Sequence, residues 1–120
     1  MDKCIKRVLV IDDEIISQMI LKELLESSGY QATLTSSGEE AIQYFKEEPF
    51  HLIIVDFNMP KMNGITMVTE IRLLEKETKS HIIGLTACDD PEYQKEGLEA
   101  GMNEVYTKPI NQEIIDKICR

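Results

Sequence analysis

The sequence predicts a single α/β domain in which helices cover both faces of a five-stranded, doubly wound parallel sheet. Three observations lead to this fold class. The chain has 120 residues, the usual size of one domain, so we treat residues 1–120 as one unit. The composition is 42% hydrophobic and 29% charged, which is typical of a protein with a core. Short apolar runs alternate with segments of helical spacing.

Five strands are predicted, and three of them are apolar throughout. These three are residues 8–11, 52–55 and 82–85, and they are rich in branched side chains with no polar alternation. That pattern is typical of strands in the middle of a parallel sheet. Residues 31–35 and 104–107 mix polar and apolar side chains, as edge strands do. Strict alternation with helices predicts right-handed crossovers between the strands.

Five helices are predicted from apolar stripes and from cap residues. A stripe at helical spacing normally faces the core. The stripe of the first helix comprises Ile15, Ile16, Met19, Ile20, Leu24 and Leu25, and that of the third comprises Ile65, Val68, Ile71 and Leu74. Ser37 and Glu40 form a capping box at the second helix. Asp90 followed by Pro91 begins the fourth helix, and Asn111 caps the fifth.

Charge and composition argue against several classes of function. Thirteen basic and 22 acidic residues give a formal charge of −9, so we expect no direct binding to nucleic acid. No apolar run approaches the roughly 18 residues that span a bilayer, and we expect a cytoplasmic protein without membrane contact. Cys4, Cys88 and Cys119 form no CxxC pair, which argues against a disulfide framework or a zinc site.

Polar side chains follow four of the predicted strands at their carboxyl ends. Asp12 and Asp13 follow the first strand, Asp56 the third, Thr86 the fourth and Lys108 the fifth. Doubly wound sheets bind ligands outside the carboxyl ends of their strands, so we expect these five side chains to converge on one rim. Taken alone, each has an ordinary role as a helix cap, a turn residue, a strand residue or a surface charge. Their joint placement is what indicates a site.

The residue types at this rim suit phosphoryl transfer. Carboxylates about 4–5 Å apart repel by roughly 4 kcal/mol per pair at an effective dielectric near 20, so the three must hold protons or a cation. Oxygen ligands without His or Cys favour a hard divalent ion, and Mg²⁺ suits a shallow carboxylate site. A carboxylate can act as a nucleophile and become an aspartyl phosphate. Mg²⁺, Lys108 and Thr86 could then each match one phosphoryl oxygen.

Four ordered motifs resemble those of the receiver domains of two-component response regulators, over essentially the whole chain. They are VIDDE at 10–14, VDFNMP at 55–60 with MNG at 62–64, LTA at 85–87, and YTKPI at 106–110. The resemblance implies a flavodoxin-like (βα)5 fold with strand order 2-1-3-4-5.

The resemblance implies a metal ligand set. Asp56 would be the phosphoacceptor. Asp13 and Asp56 would bind Mg²⁺ directly, together with the backbone carbonyl of Asn58, while Asp12 in the outer shell would hold a metal-bound water. Mn²⁺ could substitute for Mg²⁺ at such a site.

The resemblance also implies a phosphoryl site and a switch. Thr86 and Lys108 would bind the phosphoryl oxygens, and the small Ala87 would leave the site open. Tyr106, two residues before Lys108, would be the switch aromatic that turns inward as Thr86 moves toward the phosphate. Pro109 resembles the proline that commonly follows a cis peptide bond in this family.

The function implied is that of a signalling phosphoacceptor rather than an enzyme. A sensor histidine kinase or a histidine phosphotransfer domain would donate its phosphoryl group to Asp56. The added charge would remodel the face formed by the fourth helix, the fifth strand and the fifth helix. That face would act on an output domain or a target protein, and homodimerisation on activation is an open alternative.

Other functions use similar residues. A haloacid-dehalogenase-like phosphatase needs a second Asp two positions after its nucleophile, where this chain has Asn58, and its acidic pair comes late in the chain. An interaction module independent of phosphorylation would not need all five site residues. A flavodoxin-like cofactor binder would need a phosphate-binding loop after the first strand, where this chain has acids.

Overall fold

Strands and helices alternate strictly in the computed structural model, which describes residues 6–48, 50–57, 64–75, 79–87, 91–108 and 110–118. The strands are β1 (Lys6–Ile11), β2 (Tyr30–Thr35), β3 (Leu52–Asp56), β4 (His81–Thr86) and β5 (Glu104–Thr107). The helices are α1 (Ile15–Ser27), α2 (Gly38–Glu47), α3 (Gly64–Leu74), α4 (Pro91–Ala100) and α5 (Gln112–Ile118). Every predicted element is present within a few residues of its expected bounds.

The five strands form one sheet in the order β2-β1-β3-β4-β5, and all neighbouring pairs are parallel. The predicted fold class and strand order are therefore confirmed. The burial pattern agrees with the sequence texture: every residue of the central strand β3 is buried, whereas all of the edge strand β5 is half-buried. The chain places β2 on one side of β1 and then adds β3, β4 and β5 on the other side. The strand order therefore reverses between β1 and β3, which is the point where sheets of this kind bind ligands.

Each face of the sheet carries its own apolar core, because successive side chains of a strand point to opposite faces. Leu9 and Ile53 belong to the core under α2, α3 and α4. Val10 and Ile54 belong to the core under α1 and α5. Among the described residues, no helix is both long and apolar enough to cross a bilayer.

The apolar stripe of α1 does not pack as its spacing predicts. Leu21 and Leu25 are buried and Leu24 is partly buried, but Ile15, Ile16, Met19 and Ile20 are between 49% and 73% exposed. At about 100° per residue, these four side chains project from the side of the helix opposite Leu21 and Leu25. The helix therefore has one apolar face in the core and a second on the surface. We call Ile15, Ile16, Met19 and Ile20 the α1 patch.

The predicted cap residues Ser37 and Asn111 are confirmed, but only half of the capping box at α2 forms, because the Ser37 backbone N–H donates to Thr35 Oγ1 and not to Glu40. The Ser37 hydroxyl accepts a hydrogen bond from the backbone N–H of Glu40 at 3.2 Å. The Asn111 side chain accepts one from the backbone N–H of Ile114 at 3.0 Å. Each cap satisfies an N–H that has no partner inside the helix. Asp90, the predicted cap of α4, lies outside the described residues.

Arg72, near the end of α3, connects that helix to the residue before β4 and to the loop between α4 and β5. Its Nε and Nη2 donate to the backbone carbonyl of Gly101 at 3.0 and 2.8 Å, and Nη2 also donates to Asn103 Oδ1 at 2.9 Å. Its Nη1 donates to the Ser80 carbonyl at 2.9 Å and to the largely buried Glu75 carboxylate at 2.8 Å. One guanidinium thus holds the end of α4 where Gly101 adopts φ +122°.

Replacing Arg72 with alanine is expected to lower the free energy of unfolding by about 3 kcal/mol, because the Glu75 carboxylate would stay buried without its cation. Urea denaturation measures the loss. The control is Lys46→Ala, an exposed lysine of α2, for which about 0.5 kcal/mol or less is expected. Equal losses in the two variants would show that the Arg72 contacts do not stabilise the fold.

Candidate functional site

Three carboxylates meet at the carboxyl ends of the two central strands. Ile11 pairs with Val55 across β1 and β3, so Asp12 and Asp56 continue this register side by side. One carboxylate oxygen from each of Asp12, Asp13 and Asp56 lies within 4.8 Å of the others. The structure therefore brings together the three acids that the sequence places after these strands.

The ammonium group of Lys108 faces this cluster from the end of β5. Its Nζ lies 3.1 Å from Asp12 Oδ2, 3.3 Å from Asp56 Oδ2 and 3.1 Å from Glu14 Oε1. The backbone N–H of Lys108 donates to the carbonyl of Thr86 at 2.8 Å, which fixes the base of the side chain at the end of β4. Its long stem then reaches across two strands to the acids.

Asp12 is the most buried acid of the cluster, with 1% of its surface exposed. Its Oδ1 accepts a hydrogen bond from the backbone N–H of Glu14 at 2.9 Å. Its Oδ2 is buried and has no hydrogen-bond partner in the described part of the chain, although Lys108 Nζ is close enough for an ion pair. Burial raises the pKa of Asp12, and the contacts with Glu14 and Lys108 only partly offset that rise.

Lys108 remains a cation in this setting. Burial alone would lower its pKa, but its close contacts with Asp12 and Glu14 and the charges of Asp12 and Asp56 raise the pKa above the usual range of lysine. The hydrogen bond from Lys108, together with the one from Ser17, lowers the pKa of Glu14. One ammonium thus faces four carboxylates, and the rim keeps a net negative charge.

Thr86 completes the set of five predicted rim residues. It is the last residue of β4 and is fully buried. Asp56 pairs with Leu85 in the register, so Thr86 lies one position beyond the Asp56 pairing, on the neighbouring strand. Asp56 therefore has the acidic pair on one side and the end of β4, which carries Thr86, on the other.

The structure does not support the switch role predicted for Tyr106. Tyr106 pairs with Leu85 and packs with the core under α1 and α5, whereas Thr86, the next residue along β4, projects to the opposite face. Because the strand backbone decides the face of the sheet on which a side chain lies, a change of rotamer does not bring Tyr106 to the face of Thr86. The β5 residue directed at the α4 side is Val105, which pairs with Gly84 and packs against the core that contains Phe57.

The Tyr106 hydroxyl is engaged elsewhere. It donates a hydrogen bond to Glu104, whose other carboxylate oxygen lies 2.8 Å from His81 Nε2. The bond to Glu104 raises the pKa of Tyr106 to about 12. The hydrogen bond from Tyr106 lowers the pKa of Glu104, burial partly offsets that change, and the contact with His81 lowers the pKa further. Tyr106 therefore belongs to a hydrogen-bonded chain along the sheet edge.

Phe57 links the cluster to α4. Its backbone N–H, next to Asp56, donates to the Leu85 carbonyl at 2.9 Å, and its ring is buried. A Cβ on Gly84 would lie 2.5 Å from this ring, and one on Gly97 of α4 would lie 2.8 Å from it. The ring meets Tyr93 of α4 edge to face, with centroids 6.0 Å apart. Two glycines thus make room for a side chain that joins the acidic site to α4.

Some predictions lie outside the described residues, and one contact was not predicted. Asn58, Cys88 and Pro109 are among the residues whose structure is not described. Glu14 is part of the first motif but was given no role, although it contacts Lys108. Its position directly after the two acids is the signal that could have indicated it.

Comparison with known proteins identifies the family. Residues 8–120 match the family model of the response regulator receiver domain. This chain is a member of that family. A probable chemotaxis protein CheY from Rhizobium etli is 36% identical over 108 residues, which cover 89% of this chain and 84% of that protein. Receiver domains accept phosphoryl groups in phosphorelays, and this chain has that role.

Other relatives are much longer. The probable transcriptional regulator ycf27 of Cyanophora paradoxa is 36% identical over 96% of this chain, which spans 47% of that protein. Hybrid signal transduction histidine kinase C of Dictyostelium discoideum is 31% identical over 95% of this chain, which spans 10% of that protein. The receiver domain thus occurs in these relatives as part of a larger protein.

Solved structures share the fold closely. The Vibrio cholerae chemotaxis protein CheY4 has a TM-score of 0.89 and 30% identity over 96% of each chain. The receiver domain of sensor histidine kinase PA1611 from Pseudomonas aeruginosa, with magnesium in its active site cleft, has a TM-score of 0.86 and 28% identity over 97% of this chain and 95% of that one. The Saccharomyces cerevisiae Ssk1 receiver, solved with the histidine phosphotransfer protein Ypd1, has a TM-score of 0.86 and 29% identity over 96% and 86%.

The acidic cluster of this receiver domain fits the Mg²⁺ that such domains bind. Its ligand atoms are carboxylate oxygens close enough to share one ion, and magnesium prefers oxygen ligands. The buried Oδ2 of Asp12 lacks a hydrogen-bond partner in the described structure, and the rim has excess negative charge. Family membership also decides against the phosphatase and the cofactor binder as alternatives.

Asp12→Asn is expected to raise the free energy of unfolding at pH 7.5 in a chelating buffer, because asparagine puts no charge in this buried position. Because burial raises the pKa of Asp12, the folded state binds its proton more tightly than the unfolded chain does. The native state therefore loses stability as the pH rises through this pKa, and asparagine removes that loss. The gain should shrink as the pH is lowered toward 4 and Asp12 takes up its proton.

Urea denaturation at the two pH values measures this effect. Asp116→Asn, which changes an exposed aspartate of α5, is the control and should show no such pH dependence. An Asp12→Asn protein that is less stable than the wild type at pH 7.5 would contradict the assigned cost of burying this carboxylate.

Proposed function

We propose that Asp56 is the phosphoacceptor of a receiver domain formed by residues 1–120, and that Thr86 and Lys108 bind the transferred group. The observation that carries this proposal is the position of Asp56 on the central strand. Lys108 Nζ lies 3.3 Å from its Oδ2, the acidic pair lies on one side and Thr86 ends the strand on the other. Asp56 is thus the acid that lies between the acidic pair and Thr86 and within reach of Lys108.

The transfer step follows from this arrangement. A carboxylate oxygen of Asp56 attacks the phosphorus of a phosphohistidine, the P–N bond breaks, and the imidazole nitrogen leaves with the electron pair. Lys108 offers a positive charge to one phosphoryl oxygen and the Thr86 hydroxyl offers a hydrogen bond to another. The domain assists its own phosphorylation in this way, and later attack of water on the acyl phosphate releases inorganic phosphate and restores the Asp56 carboxylate.

The acids supply the metal site. Asp13, Asp56 and the backbone carbonyl of Asn58 would hold Mg²⁺ directly, and Asp12 would hold it through water. When bound, the ion offsets the charge that the phosphoryl group adds to the acids. Mn²⁺ has the same preference for oxygen ligands and would substitute.

The α1 patch supports a docking site for the phosphate donor. Its four apolar side chains are exposed on the helix that begins directly after Glu14, at the mouth of the acidic cluster. A groove of about 70 Å³ runs from α1 to the site and is lined by Ser17, Ile20, Leu21, Leu85, Lys108 and Ile110. We expect a sensor histidine kinase or a histidine phosphotransfer domain to cover this surface, in the cytoplasm.

Phosphorylation would be read out at α4, β5 and α5. Phe57 gives the site a direct contact with α4 through Gly97 and Tyr93. The outer side of α4 carries Glu92, Glu96 and Glu99, all exposed, which form an acidic face. An output domain or a target protein would bind there, and a second copy of the chain is the alternative occupant.

Asp56→Asn is expected to abolish phosphorylation by acetyl phosphate in the presence of Mg²⁺, because the amide is not a nucleophile. Intact-mass measurement detects the phosphoryl group on the wild type, and Asp116→Asn serves as a control with normal labelling. Asp56→Asn protein that is labelled at the yield of the wild type would show that another residue is the acceptor.

Ile16→Glu is expected to slow phosphotransfer from a histidine phosphotransfer protein at least tenfold, because it places a charge in the α1 patch. Labelling by acetyl phosphate should not change. Leu73→Glu is the matched control, since Leu73 is an exposed leucine of α3 with 80% of its surface accessible. Equal transfer rates in the two variants would show that the donor does not use the α1 patch.

A further inference from the structure

Lys108 also contacts the carboxylate of Glu14, which takes no part in the proposed transfer step. Glu14 Oε1 lies 3.1 Å from Lys108 Nζ, the same distance as Asp12 Oδ2 and slightly closer than Asp56 Oδ2. Glu14 therefore binds the ammonium group as closely as the acids of the cluster do. The group that must reach a phosphoryl oxygen already has three partners.

Glu14 approaches Lys108 from the outside of the site. Its side chain is 64% exposed, whereas that of Lys108 is 18% exposed. The same Oε1 also accepts a hydrogen bond from Ser17 Oγ at 3.1 Å, which holds the carboxylate against the first turn of α1. Glu14 directly follows Asp13 and precedes α1. Its backbone lies outside the acidic cluster, and its side chain points back to Lys108.

We propose that Glu14 is a positioning residue that holds Lys108 Nζ toward the mouth of the site and competes with the phosphoryl group for it. The inference rests on the proposed function. A phosphoryl group on Asp56 brings new charged oxygens, which are strong acceptors for an ammonium group. Lys108 turns to these oxygens and gives up its contact with Glu14. The competition stabilises the unphosphorylated state relative to the phosphorylated one.

The size of the effect follows from the exposure of the pair. An exposed ion pair contributes little to stability, so its loss should change the affinity for a phosphoryl group by roughly two- to fivefold. Asp12 and Asp56 still hold Lys108 when Glu14 is removed, so the ammonium group stays at the site. Glu14 thus adjusts the phosphorylation equilibrium without being required for it.

Beryllium trifluoride with Mg²⁺, a stable analogue of the phosphoryl group, measures this competition on the whole chain. Its dissociation constant is obtained by fluorine NMR titration for the wild type, Glu14→Gln and Glu14→Asp. Both variants are expected to bind two- to fivefold more tightly. Glutamine removes the charge, and aspartate keeps the charge but is too short to hold Lys108. Glu23→Gln, an exposed glutamate on the same helix, should bind as the wild type does.

The aspartate variant separates positioning from simple repulsion. If Glu14→Gln binds more tightly and Glu14→Asp binds like the wild type, Glu14 acts only through its charge, and the positioning role is wrong. Unchanged affinity in both variants overturns the inference while leaving the proposed function intact. Failure of the wild type to bind the analogue would instead overturn the proposed function, and this inference with it. Urea denaturation of each variant confirms that the fold is retained.

Discussion

The contact between one ammonium group and several carboxylates is the interaction on which the rest of this domain depends. The parallel sheet brings Asp12 and Asp56 side by side at the ends of neighbouring strands, and burial makes their charge costly. Lys108 offsets part of that charge from the opposite side. Because the compensation is incomplete, the rim can accept a divalent ion, and the same lysine can then serve a phosphoryl group.

Most of the fold and the core of the site could be predicted from local sequence. Apolar branched runs indicate buried parallel strands, and the acids, the threonine and the lysine directly follow such runs. Strand ends in a parallel sheet share one edge, so the position of each residue after its strand was sufficient to place it. The caps Ser37 and Asn111 were predictable for the same reason, since a cap acts within one turn of helix.

What could not be predicted depends on contacts between distant elements. Helical spacing showed that α1 has apolar residues on more than one side, but not which side packs on the sheet. The side that carries Leu21 and Leu25 packs there, and Ile16 is therefore exposed. The role of Tyr106 was inferred from its distance to Lys108 along the chain, whereas strand alternation and the bond to Glu104 direct it to the other face. The contacts of Arg72 with Gly101 join residues 29 positions apart, and they leave no local pattern.

Direct identification of the labelled residue tests the central claim. Borohydride reduces an acyl phosphate to an alcohol and thereby converts a phosphorylated aspartate into homoserine. After labelling with acetyl phosphate and Mg²⁺, peptide mass spectrometry should locate homoserine at position 56. Homoserine at position 12 or 13, or at an acid away from the rim, would contradict the account, because the ammonium group and the hydroxyl would then flank the wrong carboxylate.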